Sequence, residues 1–255
     1  MDAYVLAMRR RFLAEGTVSA RRYEIGRWLA VCPGWVTATG EDVERFLDAR
    51  RLGPRARYTA ISHLHRFYVW AIRDGHASSN PTVDIDRPRL PHRLPRPARL
   101  ADVELAIAGA PPRLATVMLL MVDAGLRCCE AARLDWRDVD LAAGVLIVRG
   151  KGDRDRMIGL TARVAANLAS YDDDTGPVFG RTVTAGRLSQ LVNRELRTAG
   201  VTAHQLRHTF ATRAYRLLHG DLLAVAQLLG HASVITTQIY ARVDVDAAAA
   251  AVRRL

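Results

Sequence analysis

The sequence predicts a mainly α-helical chain of two domains: a helical N-terminal domain and a mostly helical second domain carrying one small β-hairpin. Three observations predict it. Apolar residues recur at helical spacing through most of the chain. The segment RPRLPHRLPRPAR, residues 87–99, holds four of the ten prolines and five arginines, which excludes a helix interior or a central strand. It reads as an extended basic linker between residues 1–86 and 100–255. The period changes only at Val145-Leu146-Ile147-Val148, a short β-branched run. A length of 255 residues is also about two domains at ~150 residues each.

The elements follow in order. Helical spacing is visible in Tyr4–Leu13 and in Tyr23–Leu29. Thr39 with Asp42 three residues on is a capping-box pair, opening a helix that runs to about Arg50. A longer helix spans about Arg55 to Asp74 and stops at Gly75. It is rich in rings and bases; Phe67 and Trp70 read as core, whereas Arg57, His63 and Arg66 read as facing phosphate. Beyond the linker, helices are expected over Ala101–Ala108 and Pro112–Ala124. The hairpin follows: Val145–Val148, a turn at Gly150-Lys151-Gly152-Asp153, then Arg156-Met157-Ile158. Further helices are expected over Thr184–Thr198, His204–Leu217, Asp221–Leu229 and Val234–Tyr240. An alanine-rich terminal helix comes last, with Asp244 and Asp246 at its start and Arg253 and Arg254 at its finish, the order that suits the helix dipole. No internal repeat is visible.

Composition narrows the partners. The net charge is +11, and residues 1–100 carry +8 of it. A surplus of that size points to a polyanion, DNA first, then RNA or an anionic membrane. The longest apolar run, Leu114–Val122, is too short to span a bilayer and meets Asp123 at once. Arg9, Arg10 and Arg11 interrupt the N-terminus before any secretion-signal core can form. Three cysteines, Cys32, Cys128 and Cys129, make no disulfide framework and suit a reducing cytoplasm, where the protein is expected. Of the 37 basic residues, Lys151 alone is lysine. Lysine can release a proton near neutral pH where arginine cannot, so the one retained lysine is a candidate for proton transfer.

Four stretches carry candidate chemistry: Ala124-Gly-Leu-Arg127-Cys-Cys-Glu130, the Lys151 hairpin, His204-Gln-Leu-Arg207-His208, and Leu229-Gly-His231 with Tyr240 nine residues on. His204 and His208 have a metal-clamping i, i+4 spacing. The zincin pattern, however, needs Glu where Gln205 stands, and no third ligand is evident. His204 and Arg207 share a helix face and can hold one anion together.

In this order and with their flanks, AGLRCCEAARLDWRDVD, HQLRHTFAT and LLGHASVITTQIY, these stretches resemble the signature of the tyrosine recombinases, the phage-integrase family. The resemblance covers about Ala101 to the C-terminus and implies a fold of the tyrosine-recombinase type. Position by position, it places the family's catalytic roles on Arg127, Lys151, His204, Arg207, His231 and Tyr240. Cys128-Cys129 departs from the family's more common aliphatic and small polar pair and is read as helix packing. Two guanidiniums can stabilise the charge that grows on a phosphodiester during displacement. Tyr240 would be the nucleophile, and its phenol, with a pKa of ~10, needs help from cations or a base such as His204. His231 would hydrogen-bond the phosphate, and Lys151 would protonate the leaving 5′-oxygen.

The resemblance further implies site-specific strand cleavage and rejoining through a 3′-phosphotyrosyl intermediate, with no cofactor, metal or nucleotide. It implies a two-domain clamp on double-stranded DNA core-type attachment sites, monomeric or weakly associated when free and tetrameric on synapsed DNA. The basic N-terminal domain and linker supply candidate contacts at Arg57, His63, Arg66, Arg87, Arg89, Arg93 and Arg96. That domain starts almost at Met1, which reads as a compact integrase without a separate arm-binding domain. Integration or excision of a phage or mobile element is the leading expectation. A chromosome-dimer resolvase is the alternative within the same chemistry, and a noncatalytic DNA-binding protein is the alternative outside it. No RRM, KH or zinc-knuckle pattern supports an RNA-binding reading.

Overall fold

The computed structural model describes residues 1–90, 97–150, 155–171, 175–180, 183–231 and 237–238. The chain divides into two compact units, Met1–His92 and Arg93–Leu255. No helix among the described residues is long and apolar enough to cross a membrane.

The first unit contains helices α1 (Asp2–Arg10), α2 (Glu15–Val31), α3 (Gly40–Asp48) and α4 (Pro54–Arg73), with a 3-10 turn at Trp35–Thr37. The Thr39–Asp42 box forms as the sequence requires: the Thr39 N–H donates to the Asp42 carboxylate at 2.9 Å, and the Asp42 N–H donates back to the Thr39 hydroxyl. Pro54 opens α4 at a position where its missing N–H costs nothing, and Gly75, at φ 75°, follows its end. The core is formed by Ile25, Trp28, Val43, Leu47, Ile61, Leu64, Phe67 and Tyr68. Phe67 and Trp70 are buried, as expected. The polar tips inside are satisfied: Trp28 Nε1–H donates to the Tyr68 hydroxyl, which donates to the Trp35 carbonyl. α2 starts eight residues before Tyr23, because Val18 and Ile25 continue one buried face.

The second unit contains α5 (Leu100–Gly109), α6 (Pro112–Asp123), α7 (Cys128–Ala131), β1 (Val139–Asp140), β2 (Val145–Val148), β3 (Arg156–Gly159), α8 (Ala162–Ala169), α9 (Ala185–Leu196), α10 (Ala203–Leu217) and α11 (Leu222–Leu229). Every residue of α6 from Thr116 to Asp123 is buried, which explains the apolar run in the sequence: this helix is the centre of the unit, with α10 packed along it. Its terminal carboxylate, Asp123, is matched by Arg163 of α8 and by Arg213 of α10 at 2.9 Å.

The expected hairpin is present as β2 and β3, antiparallel with Val148 opposite Arg156. β1 adds a third strand in the order β1-β2-β3. Two residues are too few to show a period, so β1 was invisible in the sequence. α8 was also missed, although Thr161 caps it and Val164 and Leu168 mark its buried face. The turn residues 151–154, all of the expected Val234–Tyr240 helix except residues 237 and 238, and the terminal helix lie outside the described residues.

Candidate active site

Arg127 follows α6 through a turn at Gly125 and is the N-cap residue of α7. Gly125 has φ +67°, and a Cβ there would sit inside the van der Waals surface of the Phe210 ring. The close approach is used: the Gly125 carbonyl accepts a hydrogen bond from Arg207 Nη1, which joins the two arginine stretches across 82 residues. Gly125→Ala therefore combines backbone strain with overpacking and should destabilise the protein by about 3 kcal/mol, read as a lower midpoint in denaturant at unchanged slope.

Arg207 is buried on α10, and its Nη2 donates to the Leu229 carbonyl at the end of α11. A buried guanidinium needs a counter-charge, and Glu130 provides it at 3.6 Å. The same carboxylate accepts from Arg127 Nη1 at 2.7 Å, from the Arg127 backbone N–H at 2.8 Å and from Arg156 Nη2 at 2.8 Å. Burial alone would raise the Glu130 pKa, but the hydrogen bonds and charges of Arg156 and Arg127 outweigh it and hold the group down at about 2. Arg156, on β3, also donates to the Leu228 carbonyl, so one side chain ties the hairpin to α7 and α11. Glu130 and Arg156 were not predicted as site residues. Glu130 had a signal, an acidic side chain three residues after Arg127 at a helix start. Arg156 had none, because its partners are 26 and 72 residues distant.

The imidazoles gather around the same charges. His204 and His208 lie edge-to-face with ring centroids 4.3 Å apart. The His204 pKa is lowered by burial first, then by Arg207 and Arg127. Burial, His204 and Arg207 push His208 down to about 4. His231 follows Gly230, whose left-handed backbone (φ 59°) ends α11. Its Nδ1 lies 2.9 Å from the hydroxyl of buried Thr237, a partner the sequence did not suggest. Burial, Arg207 and Arg127 lead the causes that lower His231 to about 4, so both site histidines are neutral at pH 7 in the free protein. Neutral imidazoles beside guanidiniums can hydrogen-bond an anion without adding to the charge that must be desolvated.

Arg127, His204 and Arg207 line an open cleft of about 410 Å³ with Ser189 and both adjacent cysteines. The expected packing role of the cysteines is therefore only part of the picture: the Cys128 thiol donates to the Met121 sulfur at 3.6 Å, yet both residues also face the cleft. Four of the six predicted catalytic positions, Arg127, His204, Arg207 and His231, are thus brought together. Lys151 and Tyr240 lie outside the described residues.

The predicted DNA-contact residues are more scattered. Arg57 is held by Glu44 and by Asp48 at 2.7 Å, so its charge is already neutralised within the first unit. His63 is half-buried, while Arg66, Arg87 and Arg89 are exposed. Arg87 also lies over the Tyr58 ring. Arg93 and Arg96 lie outside the described residues. Among the described residues, no group of three or more His, Cys, Asp or Glu side chains is placed to hold a metal.

Residues 102–246 match the phage integrase family. Tyrosine recombinase XerC of Xanthomonas campestris pv. campestris (strain B100) is 30% identical over 249 residues, covering 86% of this chain and 77% of the relative. The integrase from mycobacterium phage Brujita is 28% identical, with a TM-score of 0.51 over 94% of this chain and 89% of that chain. A lambda integrase (75–356) dimer bound to a COC′ core site shares the fold, with a TM-score of 0.75 and 18% identity over 94% and 93% of the two chains. The fold and the matched segment define a member of the phage integrase family. Within that family the chain is a tyrosine recombinase, an enzyme of site-specific DNA recombination.

Proposed function

We propose that Arg127, Lys151, His204, Arg207, His231 and Tyr240 form one active site that breaks and rejoins DNA through a 3′-phosphotyrosyl intermediate. The observation that carries this reading is the convergence of Arg127 and Arg207 on Glu130, with His204 and His231 in the field of both guanidiniums. In the cleavage step the Tyr240 hydroxyl attacks phosphorus and the bond to the 5′-oxygen breaks. The phenolic proton passes to His204, and the leaving oxygen takes a proton from Lys151. Arg127 and Arg207 stabilise the charge on the nonbridging oxygens, and His231 hydrogen-bonds one of them. Religation runs the step backwards, with no cofactor.

The substrate is double-stranded DNA carrying core-type sites. The enzyme acts as a tetramer on two synapsed sites in the cytoplasm of a bacterial host. The first unit and the linker, which carry most of the positive charge, serve as the core-binding half of a clamp. Integration or excision of a phage or mobile element is the favoured role, supported by likeness to the Brujita integrase over nearly the whole chain. Chromosome-dimer resolution is the second reading, favoured by the 30% identity to XerC.

A pool of nicked duplexes with randomised cores tests the chemistry. The full chain should form an SDS-resistant adduct, peptide mapping should place the DNA on Tyr240, and the sequences trapped should reveal the core site. An adduct mapped to any other residue would overturn the assignment.

A further inference from the structure

A second group of arginines lies in the first unit, and of its four members only Arg66 is a candidate DNA contact named above. Arg11, at the end of α1, Arg21 of α2, and Arg66 and Arg73 of α4 line a cleft of about 260 Å³ together with Tyr4 and Trp70. Two donors at this cleft are buried with no acceptor: the Tyr4 hydroxyl and Trp70 Nε1–H, in residues only 2% and 8% exposed. A native interior rarely leaves such groups unsatisfied. The Tyr4 hydroxyl lies among the arginines: the Arg21 guanidinium donates toward its oxygen, Arg11 and Arg66 also act on it, and burial keeps the phenol protonated, so its own O–H remains to be donated. Among the described residues, Arg73–Asp74 is the one ion pair formed by these four arginines.

We propose that this cleft is an oxyanion site that takes a phosphate group. Its polar lining is almost entirely donors: four guanidiniums, a phenol and an indole N–H. Such a lining suits a ligand that only accepts, and guanidinium forks match the oxygen geometry of phosphate. The volume lies below the roughly 300–1,000 Å³ of pockets for drug-sized ligands, so the site fits a phosphate group rather than a whole nucleotide. The phosphate can come from free solution or from the backbone of bound DNA. The proposal does not rest on the assignment of the recombination chemistry.

The test uses the full chain and inorganic phosphate, with ionic strength held constant by chloride. Calorimetry should show saturable binding, and the melting temperature should rise with phosphate. Tyr4→Phe keeps the ring but removes one donor, and should weaken phosphate about 10–100-fold, as should Arg21→Gln. Without phosphate, Tyr4→Phe should be about as stable as the parent, because the ring keeps its place in the core and the hydroxyl it loses has no acceptor. Lost binding in that variant is then not lost folding.

A short random-sequence duplex separates the two sources. If DNA supplies the phosphate, prebound duplex displaces inorganic phosphate, or Tyr4→Phe weakens duplex binding even where free phosphate is too weak to detect. If the ligand is free phosphate, its affinity is the same with and without duplex. The proposal is overturned if phosphate stabilises the parent and both variants equally. It is also overturned if phosphate binds none of them and Tyr4→Phe leaves duplex affinity unchanged.

Discussion

Lys151→Arg binds core-site DNA like the parent but cleaves it about 10²–10⁴-fold more slowly, the usual worth of a positioned general acid. The substitution keeps the charge and roughly the length while raising the side-chain pKa beyond useful proton donation. The flanks of the turn are well anchored. Val148 pairs with Arg156, Arg149 is bound to Asp138 at 2.7 Å, and the Gly150 N–H donates to Asp155 at 3.1 Å. If Lys151 served only to attract phosphate, the arginine variant would cleave nearly as well as the parent. A substrate with sulfur at the 5′-bridging position makes the distinction sharper, because a thiolate leaves without a proton. That substrate should restore most of the cleavage by Lys151→Arg. If DNA binding is intact and sulfur does not restore cleavage, Lys151 is not the acid.

Glu130→Gln should be the most damaging single change in the described part of the site. It leaves two nearly buried guanidiniums, Arg156 and Arg207, without their shared counter-charge. Breaking a buried pair in this way costs about 3–5 kcal/mol, and cleavage should fall with it as Arg127 and Arg207 lose their common anchor. The pH dependence gives an independent measurement. The folded-state pKa of Glu130 is about 2 against an ordinary 4.5, a depression worth on the order of 3 kcal/mol. A depressed carboxylate stabilises the fold fully above its unfolded-state value and loses that contribution as pH falls through its folded-state value. The parent should therefore lose this increment between about pH 4.5 and 2, while Glu130→Gln should lose correspondingly less over the same window. Unfolding midpoints across that range decide the matter. Equal acid slopes for the two proteins, together with parental cleavage by the variant, would remove Glu130 from the centre of the site.

Features whose cause lies within a few residues were readable from the sequence. The Thr39–Asp42 box, the run of α4 from about Arg55 to its stop at Gly75 and the β2–β3 hairpin are local events, settled by capping chemistry, glycine's backbone freedom and side-chain period. The order of the polar motifs was also legible and was enough to indicate a tyrosine recombinase. Tertiary structure decided which charges meet. Arg57 was read as facing phosphate, yet α3 presents Glu44 and Asp48 to it. Glu130 could be seen as a partner for its neighbour Arg127, but not as the carboxylate shared with Arg156 and Arg207, which arrive from β3 and α10. Periodicity reports which face of an element is buried, not which element covers it. An ion pair in a low-dielectric interior depends on separations of a few ångströms that only the packed chain sets.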